Sequence, residues 1–141
     1  MVAALILPLV LRAEIEDAAR AASPRECCGL IEGRLDGDAI HAVALHPARN
    51  LSPDADRFEI DPADHFRALR AARANGHVIV GCYHSHPNGK AQPSARDFAG
   101  ALEENFIWLI CGVTAEYAQT EAFLFVRGAF VAVKVQQPGT D

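Results

Sequence analysis

Residues 78–97 read Val78-Ile79-Val80-Gly81-Cys82-Tyr83-His84-Ser85-His86-Pro87-Asn88-Gly89-Lys90-Ala91-Gln92-Pro93-Ser94-Ala95-Arg96-Asp97. The apolar run that opens this stretch reads as a buried strand, expected over residues 77–84. Side chains two positions apart on a strand share a face, so His84 and His86 aim at one point. Pro87 has no N–H for a ladder and ends the strand. A loop containing Gly and Pro follows, and Ser94-Ala95-Arg96-Asp97 opens a helix expected to run to about Glu103. Asp97 brings a carboxylate to the same point. Two imidazoles and one carboxylate leave a fourth position for water, which is the donor set of a catalytic zinc site rather than a structural one. Each residue also has a plainer reading: polar termination of a strand for the histidines, a helix cap for Ser94 and Asp97. Agreement of ligand type, strand placement and returning carboxylate favours the metal.

A second stretch lies well upstream: Glu26-Cys27-Cys28-Gly29-Leu30-Ile31-Glu32-Gly33. The two stretches together resemble the signature of the JAMM (MPN+) metalloproteases. That signature is His-x-His-Pro, six residues, Ser, two residues, Asp, preceded by Glu-x-Cys-Gly-hydrophobic-hydrophobic-x-Gly, and both halves fit without gaps. The resemblance implies zinc held by His84, His86 and Asp97, with Glu26 as general base and Ser94 steadying the oxyanion. It also implies an α/β fold, a mixed β-sheet with helices packed on its faces, similar to the cytidine deaminase fold. Zinc deaminases themselves need His-x-Glu and Pro-Cys-x-x-Cys, and the chain has neither.

The 141 residues suit one domain, expected over 1–141, and are too few for two ordinary ones. Half the residues are hydrophobic and 22% are charged, a globular balance. Thirteen Lys and Arg against 18 Asp and Glu leave a net charge of −5. No basic cluster is present, which argues against nucleic acid as a partner. The apolar stretch 1–11 lacks a basic n-region and a small-residue cleavage site. It is too short to span a bilayer. It reads as a first strand over residues 2–11, with no membrane role and a cytoplasmic location. The four cysteines form no Cys-x-x-Cys pair, so free, mostly buried thiols are expected. Cys82, two positions before His84, is either a neighbour of the metal site or a small core residue.

Elsewhere, Ile15, Ala18, Ala19 and Ala22 recur at helical spacing over residues 12–22. Strands are expected over 28–34 and 39–46 around the Asp36-Gly37 turn, with a short one near Phe58 and Ile60. Asp61-Pro62 opens a helix that Asn75-Gly76 stops, with Phe66, Leu69 and Ala72 recurring on one face. Phe106–Val113 reads as a central strand. Residues 121–127 and 129–136 form a hairpin whose second strand lines one face with Val131, Val133 and Val135. His41, His46, His65 and His77 read as structural or exposed, and Asp61 and Asp64 as helix N-terminal acids. The loop Asn88–Pro93 is either a rigid connector or a flap over the substrate tail.

The resemblance further implies a substrate with a ubiquitin-like fold and a flexible tail. A chain close to the bare core is similar to prokaryotic peptidases that process sulfur-carrier proteins. The alternatives are an isopeptidase acting on ubiquitin-like conjugates and a non-catalytic MPN-type scaffold.

Overall fold

A computed structural model describes residues 1–139. The elements run β1 (Ala4–Ile6), α1 (Leu9–Ala22), β2 (Cys28–Asp36), β3 (Ala39–Ala48), α2 (Pro62–Ala74), β4 (Val78–His86), α3 (Ala95–Gly100), β5 (Phe106–Val113), β6 (Ala118–Val126) and β7 (Ala129–Gln136). The expected mixed sheet with helices is present. Its strands are ordered β1-β3-β2-β4-β5-β6-β7, and β1 also pairs with β7, so the sheet closes on itself. Closure was not expected. It follows from the short β1, which pairs in parallel with β3 on one edge and β7 on the other and so satisfies both.

The N-terminal stretch is the main correction. Residues 2–11 do not form one strand: β1 ends at Ile6 and α1 begins at Leu9. Pro8 divides them, sitting at the N-cap, where its carbonyl accepts from the amides of Leu11 and Arg12. Leu11, Ile15 and Ala19 then recur every fourth residue as the buried stripe, while Leu9 and Val10 face solvent. This stripe packs with Ile31, Tyr83, Ile107, Leu109 and Leu124 into the larger core.

The opposite face of the central strands carries a second core of Leu30, Ala68, Cys82, Trp108 and Phe125. Here α2 packs through its small residues. Phe66 and Leu69 are largely exposed, while Ala68 and Ala72 are buried. Small residues let the helix approach β2, β3 and β4 closely. The cap is as expected, with the Asp61 side chain accepting from the Ala63 amide. No strand forms at Phe58 and Ile60, only a single bridge between Asn50 and Ile60. α3 stops at Gly100 rather than Glu103. In β7, Val133 is buried but Val131 is exposed, so its valine face is only partly covered.

The strands around the turn at Gly37 (φ +64°) pair from Cys28 with Ala48 to Asp36 with Ala39. β4 lies between β2, antiparallel, and β5, parallel. The tight sequence Glu-x-Cys-Gly has a packing reason: a Cβ on Gly29 would overlap the Tyr83 ring of β4.

Candidate active site

β4 delivers His84 and His86 on the face of the second core, as the period of two requires. Both are buried, and so are Asp97 and Glu26. His84 Nε2 lies 3.1 Å from His86 Nε2 and 3.2 Å from Asp97 Oδ2. His86 Nε2 lies 3.2 Å from Asp97 Oδ2. Three donor atoms thus form a nearly equilateral triangle. A tetrahedral zinc ion with bonds of about 2.0–2.1 Å separates its ligand atoms by about 3.3 Å, so the residues fit that ion. Glu26, His84 and His86 also present ligand atoms within 4.8 Å of one another, which puts the Glu26 carboxylate beside the same point.

Each ring is held by neighbours. His86 Nδ1 bonds the Lys90 carbonyl at 2.8 Å. A carbonyl only accepts, so Nδ1 carries the hydrogen and Nε2 of the neutral ring presents a lone pair. His84 is stacked under Phe58 (centroids 4.3 Å apart) and meets the edge of Trp108. Burial lowers the pKa of His84, which keeps the ring neutral and a competent ligand. For His86 burial also works downward, but the Asp97 carboxylate and the Lys90 carbonyl outweigh it and the net shift is upward.

Asp97 reaches the histidines because α3 starts one turn earlier in a capping box. Ser94 Oγ accepts from the Asp97 amide (3.1 Å), and Asp97 Oδ2 accepts from the Ser94 amide (2.9 Å). Burial alone would raise the Asp97 pKa. The adjacent His84 and His86 rings and the Ser94 amide hold it far below the usual carboxylate range. The cap and the oxyanion reading of Ser94 draw on the same hydroxyl. Its oxygen accepts within the cap, and its own O–H remains as a donor.

Glu26 sits between α1 and β2. Its Oε1 is buried without a hydrogen-bond partner. Desolvation pushes its pKa up to about 7, with the His86 charge opposing and the Asp97 charge adding to the rise. Glu26, His86 and Ser94 line one cleft of 640 Å³, with Asp56, Asn88 and Lys90 among its walls. A second cleft of 550 Å³ holds Asp97, Cys82, Phe58, Ile60 and Trp108, and Arg96 borders both. Cys82 is a buried neighbour of the site on the His84 face. Burial raises its thiol pKa well above the ordinary value, which leaves it protonated.

All five singled-out residues, Glu26, His84, His86, Ser94 and Asp97, thus come together. Sequence reasoning missed Ser85, whose Oγ accepts from the Cys27 amide (2.8 Å) and whose amide donates to the Cys27 carbonyl (3.1 Å). Its place between two inward histidines was the available signal, since it must face the other way. It also missed Glu32, a buried carboxylate away from the clefts. His46 (2.9 Å), His77 (2.6 Å) and Asn75 (3.1 Å) satisfy it. His46 and His77 are structural, as expected.

The sequence profile described as prokaryotic homologs of the JAB domain matches residues 8–126. The chain belongs to this family, the stand-alone prokaryotic branch of the JAMM proteins. It is similar to the desampylase of Haloferax volcanii, 37% identical over 89 residues, or 62% of this chain and 63% of that protein. It is also similar to the "Probable TtuB-protein conjugate cleaving protease" of Thermus thermophilus, 31% identical over 80% of this chain and 70% of that one. The chain therefore spans under two thirds of the desampylase. Among solved structures, a protein of Desulfitobacterium hafniense superposes with a TM-score of 0.85 at 30% identity, covering 99% of this chain and 94% of that one. Among the described residues no helix is long and apolar enough to cross a membrane.

Proposed function

We propose that the chain is a zinc-dependent peptidase that hydrolyses a peptide or isopeptide bond at the C-terminal tail of a ubiquitin-like protein of the sulfur-carrier type. The observation that carries this reading is the convergence of His84, His86 and the Asp97 carboxylate within 3.1–3.2 Å, with Glu26 beside them. His84, His86 and Asp97 would hold the ion, which when bound supplies Lewis acidity that acidifies water and polarises a carbonyl. Glu26 takes the proton of the attacking water and later delivers it to the leaving amine. Its partnerless, desolvated carboxylate with a pKa of about 7 suits both directions of transfer. The Ser94 O–H donates to the oxyanion of the tetrahedral intermediate. The complete donor set weighs against a scaffold role.

The names of the relatives favour conjugates as substrates alongside carrier tails. The test is intact-mass analysis of small ubiquitin-like carriers, some extended beyond a Gly-Gly end and some joined to a lysine side chain. Each is incubated with zinc-loaded protein and with the Glu26→Gln variant. Release after Gly-Gly by the native protein alone supports the proposal, and the substrate form cleaved separates tail processing from deconjugation. No cleavage of either form by zinc-loaded protein overturns it.

A further inference from the structure

Asn50 is neither titratable nor in contact with the histidines, yet its carboxamide is saturated with main-chain partners. Nδ2 donates to the carbonyls of Glu26 and Arg57, each at 3.0 Å. Oδ1 accepts from the amides of Ser52 and Glu59, each at 2.9 Å. Two N–H donors and one carbonyl oxygen with two lone pairs can do no more. Three of these partners are the two ends of the loop 51–60, and the fourth is the residue next to the metal-binding point.

That loop borders the site throughout. Phe58 stacks on His84. Asp54 and Asp56 face Arg96 at 3.2 Å and 3.8 Å. Asp56 lines the cleft that Glu26 shares with Ser94. Glu26 itself belongs to no helix or strand, so no ladder fixes its backbone. Its carbonyl is held by Asn50, and its neighbour Cys27 is held by Ser85. Arg25 adds a bond to the Ser52 carbonyl at 2.5 Å, from the same segment to the same loop.

We infer that Asn50 is a positioning residue: it fixes the backbone of Glu26 against the loop 51–60 and so sets where the Glu26 carboxylate and Phe58 stand relative to His84. The inference rests on the proposed peptidase reading for its kinetic consequence, and on hydrogen bonds alone for its structural one. An aspartate at position 50 keeps both acceptor bonds but loses both donors and sets an anion against two carbonyl oxygens. An alanine loses all four bonds.

The variants Asn50→Asp and Asn50→Ala are compared with the native protein by zinc affinity, kinetics and amide hydrogen exchange. In Asn50→Asp, zinc affinity and KM are expected within about threefold of native, while kcat falls by about 10–100-fold, the scale of a misplaced catalytic group. In Asn50→Ala, exchange at Cys27, Ser52 and Glu59 is expected to rise at least tenfold (about 1.4 kcal/mol of local opening), with exchange in α1 and β6 unchanged. A kcat for Asn50→Asp within twofold of native overturns the kinetic consequence. Unchanged exchange at the three amides, or a rise spread evenly over the chain, overturns the clamp. If the native protein cleaves neither carriers nor conjugates, the peptidase reading fails on its own, and the exchange pattern still decides the clamp.

Discussion

The carbonyl of Lys90 accepts from His86 Nδ1 at 2.8 Å and thereby turns His86 Nε2 toward Asp97. The loop that presents this carbonyl is braced. The Gly89 amide donates to the His86 carbonyl at 3.1 Å, Asn88 Oδ1 accepts from the Lys90 amide at 2.9 Å, and the Tyr117 hydroxyl donates to the Gly89 carbonyl at 3.3 Å. Gly89 holds φ +84° to make the turn, and β5 runs beneath it at Gly112. The same loop lines the cleft that holds Glu26 and Ser94.

Gly112→Ala is expected to disturb this brace. A Cβ there would overlap the Gly89 carbonyl and come within 2.9 Å of the Ala91 amide nitrogen. The Lys90 carbonyl between them must shift, and the orientation of His86 with it. Loss of such an orienting bond costs about 10–100-fold in metal affinity. Chelator competition measures it. Native affinity in a folded Gly112→Ala protein would show that Lys90 does not orient the ligand.

Glu26→Gln separates base from ligand. Glutamine keeps the shape but cannot take a proton, so turnover is expected to fall by about 10²–10⁴-fold, the usual worth of a general base. Zinc content stays at one per chain if His84, His86 and Asp97 hold the ion. Loss of zinc in this variant would instead make Glu26 a ligand, which the clustering of Glu26, His84 and His86 also allows.

Ser94→Ala removes two things that differ in size. Loss of the cap on α3 is expected to lower stability by about 0.5–2 kcal/mol. Loss of the free O–H is expected to lower kcat by about 10²–10³-fold. Denaturant unfolding and turnover on the same sample separate them. A stability loss with native turnover reduces Ser94 to a cap.

The convergence of the candidate site residues was legible in the sequence because its parts are local. His84 and His86 share a face by strand period alone, and Ser94 and Asp97 share a helix turn by cap chemistry. Glu26 was found through the resemblance, since nothing in its own neighbourhood distinguishes it from a surface acid until β2 is seen pairing with β4. The closed sheet was hidden because it depends on β1 meeting β7, and strands this short carry no sequence sign of their partners. The run from Val2 to Leu11 misled because apolar content alone does not separate a strand from a helix once Pro8 divides it. Asn50 and Ser85 escaped because their partners are main-chain atoms, which leave no pattern in side-chain chemistry.

Glu26 also predicts how the metal-free protein responds to pH. Its pKa rises from an ordinary 4.5 to about 7 on folding, because burial disfavours the charged form. Below the ordinary value both folded and unfolded chains hold the proton, and Glu26 contributes nothing. As pH climbs from there to about 7, the unfolded chain releases its proton while the folded one keeps it, so stability falls. Above about 7 both are ionised, and the penalty levels off at no more than about 3 kcal/mol. Glutamine at position 26 carries no such dependence. The stability of Glu26→Gln relative to native is therefore expected to grow across this window and then stay constant. Denaturant titrations of both metal-free proteins at pH 4.5, 6 and 8 measure it, with the value at the lowest pH as reference. Two pH profiles that run parallel would mean that Glu26 is solvated in the folded chain, and the case for it as a poised base would fall with that result.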